Sequence, residues 1–183
     1  MSKLLGILSA PLALKTLREA RKLLEDATPL KTDCGRICGG ACCKADETGE
    51  NGMLLMPYEE RLYREPIEGF PYRLADDDTL YKGGKKLICE GKCDRTQRPF
   101  ACRIFPLRVK VVMDESGDNA RIEAEIDPRA WAVCPLTEQG GLRAMSGEFI
   151  GAVEQAGTLL CRNVYMLEAL LNEQRFLDET RRL

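Results

Sequence analysis

Cysteine is the residue type through which this sequence can do chemistry, because the chain has nine cysteines and no histidine. Without histidine, neither a Ser-His nor a Cys-His catalytic pair can form, and a mixed Cys/His zinc finger is excluded. A transition-metal site would therefore be built from thiolates, with a carboxylate or water at most. Nine cysteines in 183 residues are too sparse for a small disulfide scaffold, and the odd number leaves one over.

Eight of the nine cysteines lie in the middle of the chain, among glycines and charged residues. This setting is typical of loops at a site rather than of a core, and the glycines allow turns in which backbone amides point at sulfur. The sequence predicts that all eight ligate metal. They are Cys34, Cys38, Cys42, Cys43, Cys89, Cys93, Cys102 and Cys134.

The ninth cysteine, Cys161, has a different setting. Its neighbours Leu160, Val164, Leu167 and Leu171 recur at helical spacing, which predicts an apolar helical stripe. We therefore expect Cys161 to be a small core residue and not a ligand.

The spacing of the eight candidate ligands bears on the identity of the metal. Four-thiolate zinc sites usually use two Cys-x-x-Cys knuckles, and this chain has none, since its short gaps are three residues long. Iron–sulfur clusters accept more varied spacings, so the pattern favours an iron–sulfur cluster over zinc. The adjacent pair Cys42-Cys43 would strain around one tetrahedral ion, so it would serve two neighbouring centres or bridge them. Eight ligands suit two four-thiolate centres or one polynuclear centre.

Two segments resemble a known family. Cys-Gly-Gly-Ala-Cys-Cys at 38–43, followed by Arg-Pro-x-x-Cys-Arg-x-Phe-Pro at 98–106, resembles the YkgJ-like cysteine-cluster family, a zinc- or iron-chelating domain. The resemblance covers residues 32–136. A similar pattern occurs in bacterial flagellin lysine methylases, where an iron–sulfur centre is implicated. The family's first cysteine pair usually encloses two residues, whereas Cys34 and Cys38 enclose three. The resemblance implies metal chelation and supplies no activity.

Two arginines flank one of the single cysteines. Arg98 and Arg103 stand on either side of Cys102. We expect both to lie beside the ligands, where they would compensate the negative charge of the thiolates or anchor an acidic group of a substrate.

The elements that must position these residues are short. The pattern predicts an opening helix, a turn-rich segment that carries Cys102, two hairpins and a helical C-terminal region with one or two interruptions. The helices are expected at 11–26 and 141–182, a short strand at 53–56, the turn-rich segment at 99–106, and the hairpins at 80–89 around Gly83-Gly84 and at 107–126. The expected fold is α+β, with terminal helices around a small loop-rich, hairpin-containing core organised by a polycysteine metal centre.

Composition and patterning point to a single domain over residues 1–183. The cysteine-rich core would span 32–136, with flanking helices in 1–31 and 137–183. The net charge of −2 gives no reason to expect nucleic acid or a membrane as a partner, and no run of about 18 apolar residues occurs. The apolar N-terminal residues continue into an amphipathic pattern and do not end as a secretory signal would. We therefore expect a cytoplasmic protein, in which free thiols favour metal over disulfides.

Three function classes remain after these exclusions. The first is a metal-binding protein with a structural or accessory role. Its partner is the metal ion or cluster, and a protein partner is left as an open alternative. The second is a redox or group-transfer enzyme whose centre keeps an open coordination position. The third, a thiol switch, is disfavoured because Cys-x-x-Cys is missing.

Overall fold

The structure is a computed structural model that describes residues 3–43, 49, 52–91, 93–115 and 120–180, with side chains from residue 10 onward. The fold is α+β. Helices lie at both ends of the chain, and two small antiparallel sheets lie between them.

Three long helices frame the fold. They are α1 (Lys3–Leu23), α5 (Gly147–Leu160) and α6 (Val164–Thr180). The predicted start of α1 at Pro11 is wrong: the helix begins at Lys3 and carries Pro11 inside it, because the preceding residues are mostly good helix formers. The C-terminal region is interrupted, as predicted, but one break falls at 161–163, inside the stripe that was expected to run through Cys161. There Asn163 Oδ1 accepts the backbone N–H groups of Tyr165 (3.1 Å) and Met166 (3.4 Å) and so caps α6.

The sheet nearest to the cysteines has three strands. They are β1 (Met53–Leu54), β2 (Tyr72–Asp76) and β3 (Lys85–Cys89), in the order β1-β3-β2. The predicted hairpin is correct in β3 and wrong in its partner, since the residues at 80–82 form no strand and β2 takes that place. The connection between β2 and β3 has eight residues, 77–84, rather than two. Within it the backbone packs closely at Gly84, where a Cβ would lie 2.5 Å from the Asp77 carbonyl oxygen.

The second sheet is the predicted hairpin of β4 (Leu107–Met113) and β5 (Ala120–Ile126). Its register pairs Leu107 with Ile126 and Met113 with Ala120, as alternating apolar residues require. Residues 116–119 of the connection lie outside the described residues. Helix α5 packs on this hairpin and on α1, and α6 packs on β4.

Short helices connect these elements. The predicted turn-rich segment at 99–106 contains α3 (Phe100–Ile104), a short helix that begins directly after Pro99. Two others are α2 (Gly35–Cys38) and α4 (Pro135–Glu138). Short 3₁₀ helices cover Ala41–Cys43, Glu59–Tyr63, Arg95–Gln97, Pro128–Ala132 and Gly141–Ala144. Among the helices that the structure describes, none is long and apolar enough to cross a membrane.

The cysteines lie between two apolar cores. A large core joins α1, α5, α6 and the β4–β5 hairpin, and Cys34, Cys134 and Cys161 pack against it. A small core of Leu55, Tyr63, Phe70 and Leu87 fills the three-stranded sheet, and Cys89 and Cys93 pack against it. The loops that carry the cysteines therefore bridge two separately packed regions.

Candidate metal centre

The first cysteine segment is a helical turn followed by a reversal. Cys34 precedes α2 and Cys38 ends it. Gly39 (φ 64°) and Gly40 (φ 68°) both take the left-handed conformation, which glycine adopts readily. The chain then enters the 3₁₀ helix that carries Cys42 and Cys43. Two glycines thus fold this segment back on itself.

The second segment follows β3, whose register opposite Tyr72 fixes the position of Cys89. Gly91 then turns the chain at φ 73°. A Cβ at Gly91 would lie 2.7 Å from Cys43 Cβ and 2.8 Å from the Cys43 carbonyl oxygen, so the two cysteine segments touch here. The backbone N–H of Gly91 donates to the Cys89 sulfur, as the glycine-rich pattern predicts.

The loop that leads to Cys102 is bound to α1 by arginines. Arg103 donates to the carbonyls of Arg98 (2.9 Å), Arg21 (3.0 Å) and Thr96 (2.6 Å). Arg21 in turn donates to the Arg98 carbonyl (2.9 Å), and Arg95 donates to the Leu24, Glu25 and Ala27 carbonyls beyond the end of α1. The guanidinium of Arg103 is therefore directed to the backbone of this loop, although its residue adjoins Cys102.

A buried carboxylate fixes the start of α3. Glu59 is fully buried, and its two oxygens accept the backbone N–H groups of Met56 (3.1 Å) and Phe100 (2.8 Å). Arg21 Nη1 lies 3.8 Å from the same carboxylate. Burial raises the pKa of Glu59 against the opposing effect of Arg21 and the two N–H groups. This network orients α3, which presents Cys102.

Arg98 lines the same cavity as Cys43, Cys89 and Cys93. Its side chain donates to the Cys93 sulfur, and Nη2 lies 3.6 Å from Asp33 Oδ2. Its Nε atom is buried and has no hydrogen-bond partner among the described residues. A buried donor without a partner costs free energy, so an anionic group next to the cysteines would satisfy it.

Cys134 reaches the site from the other sheet. After β5, Asp127 caps the 3₁₀ helix Pro128–Ala132 by accepting the N–H of Arg129 (2.8 Å). Cys134 follows as the residue before α4, whose first residue is Pro135. The hairpin thus carries Cys134 to the neighbourhood of α2.

Two cavities divide the eight cysteines. One, of about 90 Å³, is lined by Cys43, Cys89, Cys93 and Cys102, which we name site A. The other, of about 270 Å³, is lined by Cys34, Cys38, Cys42 and Cys134, which we name site B. Cys42 and Phe105 line both cavities, so the two sites adjoin.

The mutual electrostatic influence of the thiols agrees with this division at Cys102 and Cys34, whereas Cys42 is influenced by thiols of both sites. Burial raises the pKa of Cys102, and the nearby Cys43, Cys89 and Cys93 raise it further. Burial also raises the pKa of Cys34, with added contributions from Cys38, Asp33 and Cys134, while Arg98 lowers it.

The adjacent pair stands at the boundary. The Cys42 and Cys43 sulfurs are 3.9 Å apart and share a hydrogen bond. This bond lowers the pKa of Cys43 to about 6, whereas it raises the pKa of Cys42, the one exposed cysteine. One proton shared between two sulfurs thus leaves Cys43 the more easily ionised thiol.

Cys161 lies apart from these groups. It is the residue after α5, half-buried against the large core, and burial alone raises its pKa to about 11. The core setting predicted for it is confirmed. The predicted stripe is wrong at Val164, which is 67% exposed because it begins α6 after the break.

The gathered thiols do not converge on one point. Within the part of the chain that the structure describes, no three Cys, Asp or Glu side chains form a group that could hold a single metal ion. All nine cysteines are free of disulfide bonds. The sulfurs therefore surround cavities rather than an ion-sized position.

Sequence reasoning missed the residues that build the site's frame. Arg21 donates to the Arg98 carbonyl, 77 residues away, and Arg95 donates to the Leu24 carbonyl, 71 residues away. Glu59 accepts the N–H of Phe100, 41 residues away. No local pattern marks such contacts. The accumulation of arginines around Cys102 was the available signal, and it indicated charge compensation rather than binding of backbone carbonyls.

Comparisons of the chain with protein-family models, with curated proteins and with solved structures found no match in any of the three.

Proposed function

We propose that this protein is a metal-binding cysteine-cluster protein that holds two adjacent four-thiolate centres. Site A would use Cys43, Cys89, Cys93 and Cys102. Site B would use Cys34, Cys38, Cys42 and Cys134.

The division of eight cysteines between two neighbouring cavities is the observation that carries this proposal. Cys42 and Cys43 are adjacent residues of one 3₁₀ helix. Cys43 lines the cavity of site A, and Cys42 lines both cavities. Two adjacent cysteines strain when they chelate one tetrahedral ion, whereas one ligand for each centre avoids that strain. The buried donor of Arg98 and the N–H of Gly91 at Cys89 supply the hydrogen bonds that an anionic thiolate centre requires.

The arrangement favours iron–sulfur clusters over zinc. A zinc ion needs its four sulfurs about 2.3 Å from one point. An iron–sulfur cluster places its own sulfides and irons between the thiolates, so its ligands surround a volume. Sulfurs that line two cavities fit the second case. The centres would join the two apolar cores, because both sites are built from loops between them.

The role that fits best is structural or accessory, in the cytoplasm, and the resemblance to the YkgJ-like family implies metal chelation only. Apart from Cys89 at the end of β3, the regular structure described in 34–43 and 89–102 consists of helices of three to five residues. Metal ligation would supply the cohesion that backbone ladders do not supply there.

Anaerobic purification followed by iron, sulfide and zinc analysis and an absorption spectrum tests the proposal. Two [4Fe–4S] clusters predict roughly eight iron and eight sulfide per chain with visible absorption. About two zinc per chain without visible absorption would retain the two centres and replace the metal. A folded, reduced and colourless protein that binds neither metal would contradict the proposal.

One observation favours an enzyme as the second candidate. Cys42 is exposed and hydrogen-bonded to Cys43, and it lines both cavities. A centre at site B without Cys42 would keep three protein ligands and an open coordination position, which suits redox or group-transfer chemistry. Cys42→Ala would then leave the metal content unchanged, whereas it lowers the content if Cys42 is a ligand.

A further inference from the structure

A separate cavity lies on a part of the molecule that carries no cysteine. Its volume is about 560 Å³, within the usual range for small-molecule sites. Its walls come from three parts of the chain: the segment around the 3₁₀ helix Glu59–Tyr63, the connection between β2 and β3, and the start of α6.

Aromatic side chains form one part of the wall. Tyr58, Tyr81 and Tyr165 line the cavity, and the Tyr58 and Tyr165 rings meet edge to face at 6.1 Å. Tyr58 has φ 67°, and among the described residues it is the only one other than glycine with positive φ. The Tyr58 backbone N–H lies near the Tyr81 hydroxyl and lowers its pKa, against the larger effect of burial. A strained backbone that its surroundings maintain is a feature of ligand sites.

Cations surround the aromatic side chains. Arg61 lies over the Tyr58 ring at 5.2 Å from its centroid, and Lys85 pairs with Asp76. Arg64 and Lys82 are exposed, and neither has an ionic or hydrogen-bond partner among the described residues. These two side chains are therefore available for an anionic group at the mouth of the cavity.

The cavity also contains a hydrogen-bond acceptor. Glu60 Oε2 is buried and has no partner within the described part of the chain, while Oε1 lies 3.9 Å from Arg61 Nε. The Glu60 side chain is 21% exposed, and the last torsion of a glutamate is broad, so a rotation presents this oxygen to the cavity. An N–H group on a ligand would supply the missing bond.

We propose that this cavity binds a nucleoside monophosphate whose base carries an exocyclic amino group. The base would lie against the tyrosine rings, and the amino group would donate to Glu60. The phosphate would contact Arg64 and Lys82. Stacking on aromatic rings and contacts of arginine and lysine with phosphate are the usual means of recognising such ligands.

Calorimetric titration of the purified full chain with AMP tests this site. We expect saturable binding that charge reversal, as Arg64→Glu or Lys82→Glu, weakens roughly tenfold or more. Arg175→Glu is the matched control, because Arg175 is an exposed arginine of α6 that does not line the cavity. Both cavity variants change exposed side chains, so thermal unfolding should show them folded.

Three further ligands resolve the contributions. Adenosine lacks the phosphate, ribose 5-phosphate lacks the base, and purine riboside 5′-monophosphate lacks only the amino group. Each should bind more weakly than AMP. No binding of AMP, equal binding of ribose 5-phosphate, or equal loss of affinity in Arg175→Glu would overturn the proposal. Because none of these measurements depends on metal, the cysteine sites can fail or succeed independently.

Discussion

The cysteines of site A and those of site B lie in different surroundings. At site A, Arg98 donates to Cys93, Gly91 donates to Cys89, and the small core forms one wall. At site B the wall is mainly apolar, and its exposed members include Ile37 at 70% and Val133 at 40%. No arginine or lysine lines site B among the described residues.

The two sites differ in what could neutralise the negative charge of a four-thiolate centre. A four-thiolate centre carries about two negative charges whether it holds zinc or a [4Fe–4S] core. At site A the chain itself supplies a cation and hydrogen bonds. At site B solvent, or a protein that covers Ile37 and Val133, would have to do so. We therefore expect site A to be the more tightly held centre.

Chelation has the largest expected effect on this comparison. A chelator should remove metal in two phases, from site B first. Hydrogen exchange should then rise first in α2 and α4, next in β3, and last in α1, α5 and α6, which the large core holds. A single phase of metal release would remove the distinction between the sites. Unchanged exchange in 32–136 after complete metal removal would contradict the coupling of metal to fold.

Loss of one ligand from each site separates the two centres. Cys102→Ala should remove the metal of site A, and Cys134→Ala the metal of site B, so each variant should retain about half of the wild-type content. Cys102→Ala should also lower stability more, because α3 and the small sheet depend on site A. Metal-to-protein ratios and thermal unfolding measure both effects. Complete loss of metal in both variants would instead indicate one polynuclear centre.

A methyl group at Gly91 tests the contact on which site A depends. Gly91→Ala places Cβ 2.7 Å from Cys43 Cβ at φ 73°, so we expect a loss of stability of roughly 2–4 kcal/mol. Gly39→Ala is the control, since Gly39 has φ 64° and nothing within 4 Å, and should cost about 1 kcal/mol from backbone strain alone. Equal losses of unfolding free energy in the two variants would show that the close contact of Gly91 with Cys43 does not contribute to stability.

Neutralising Arg98 should act more strongly on site A than on site B, because Arg98 interacts with Cys93 and Cys43 of site A and more weakly with Cys34 of site B. Arg98→Gln removes the charged donor to Cys93, which is worth roughly 1.5–3 kcal/mol and corresponds to about tenfold to a hundredfold faster release of the site A metal. Arg36→Gln, at an exposed position between Cys34 and Cys38, is the control and should leave both release phases unchanged. Faster release from site B instead would reverse the assignment of Arg98.

The smallest effect is expected at the ninth cysteine. Cys161→Ala should lower the free energy of unfolding by roughly 1 kcal/mol, because a half-buried sulfur that packs on the large core is lost. The metal content should equal that of the wild type. A drop in metal in this variant, with retention in Cys102→Ala, would overturn the assignment of the sites.

Much of the framework could be predicted locally. The β4–β5 hairpin follows from alternating residues on either side of a polar turn. An interruption of the C-terminal region was also predicted, whereas its position near Cys161, where Asn163 caps α6, was not. The core setting of Cys161 also follows from its neighbours. The partner of β3 could not be predicted in this way, since β2 lies beyond a connection whose length depends on the packing around Gly84.

Residue types alone indicate that any metal site in this protein would be built from cysteine thiolates. With no histidine and eight cysteines among glycines, thiolates are the available ligands, and glycines at 39, 40 and 91 provide the turns that such ligands require. These properties depend on residue types and on neighbours in the chain, so they can be predicted without knowledge of the fold.

The tertiary structure decided how the thiols are grouped and what the arginines contact. Cys43 meets Gly91, and Arg98 reaches Cys93 while Arg103 binds the carbonyls of a loop held to α1. These contacts join segments far apart in sequence. They are fixed by the burial of two apolar cores and by the need of buried donors for acceptors, which no local spacing encodes.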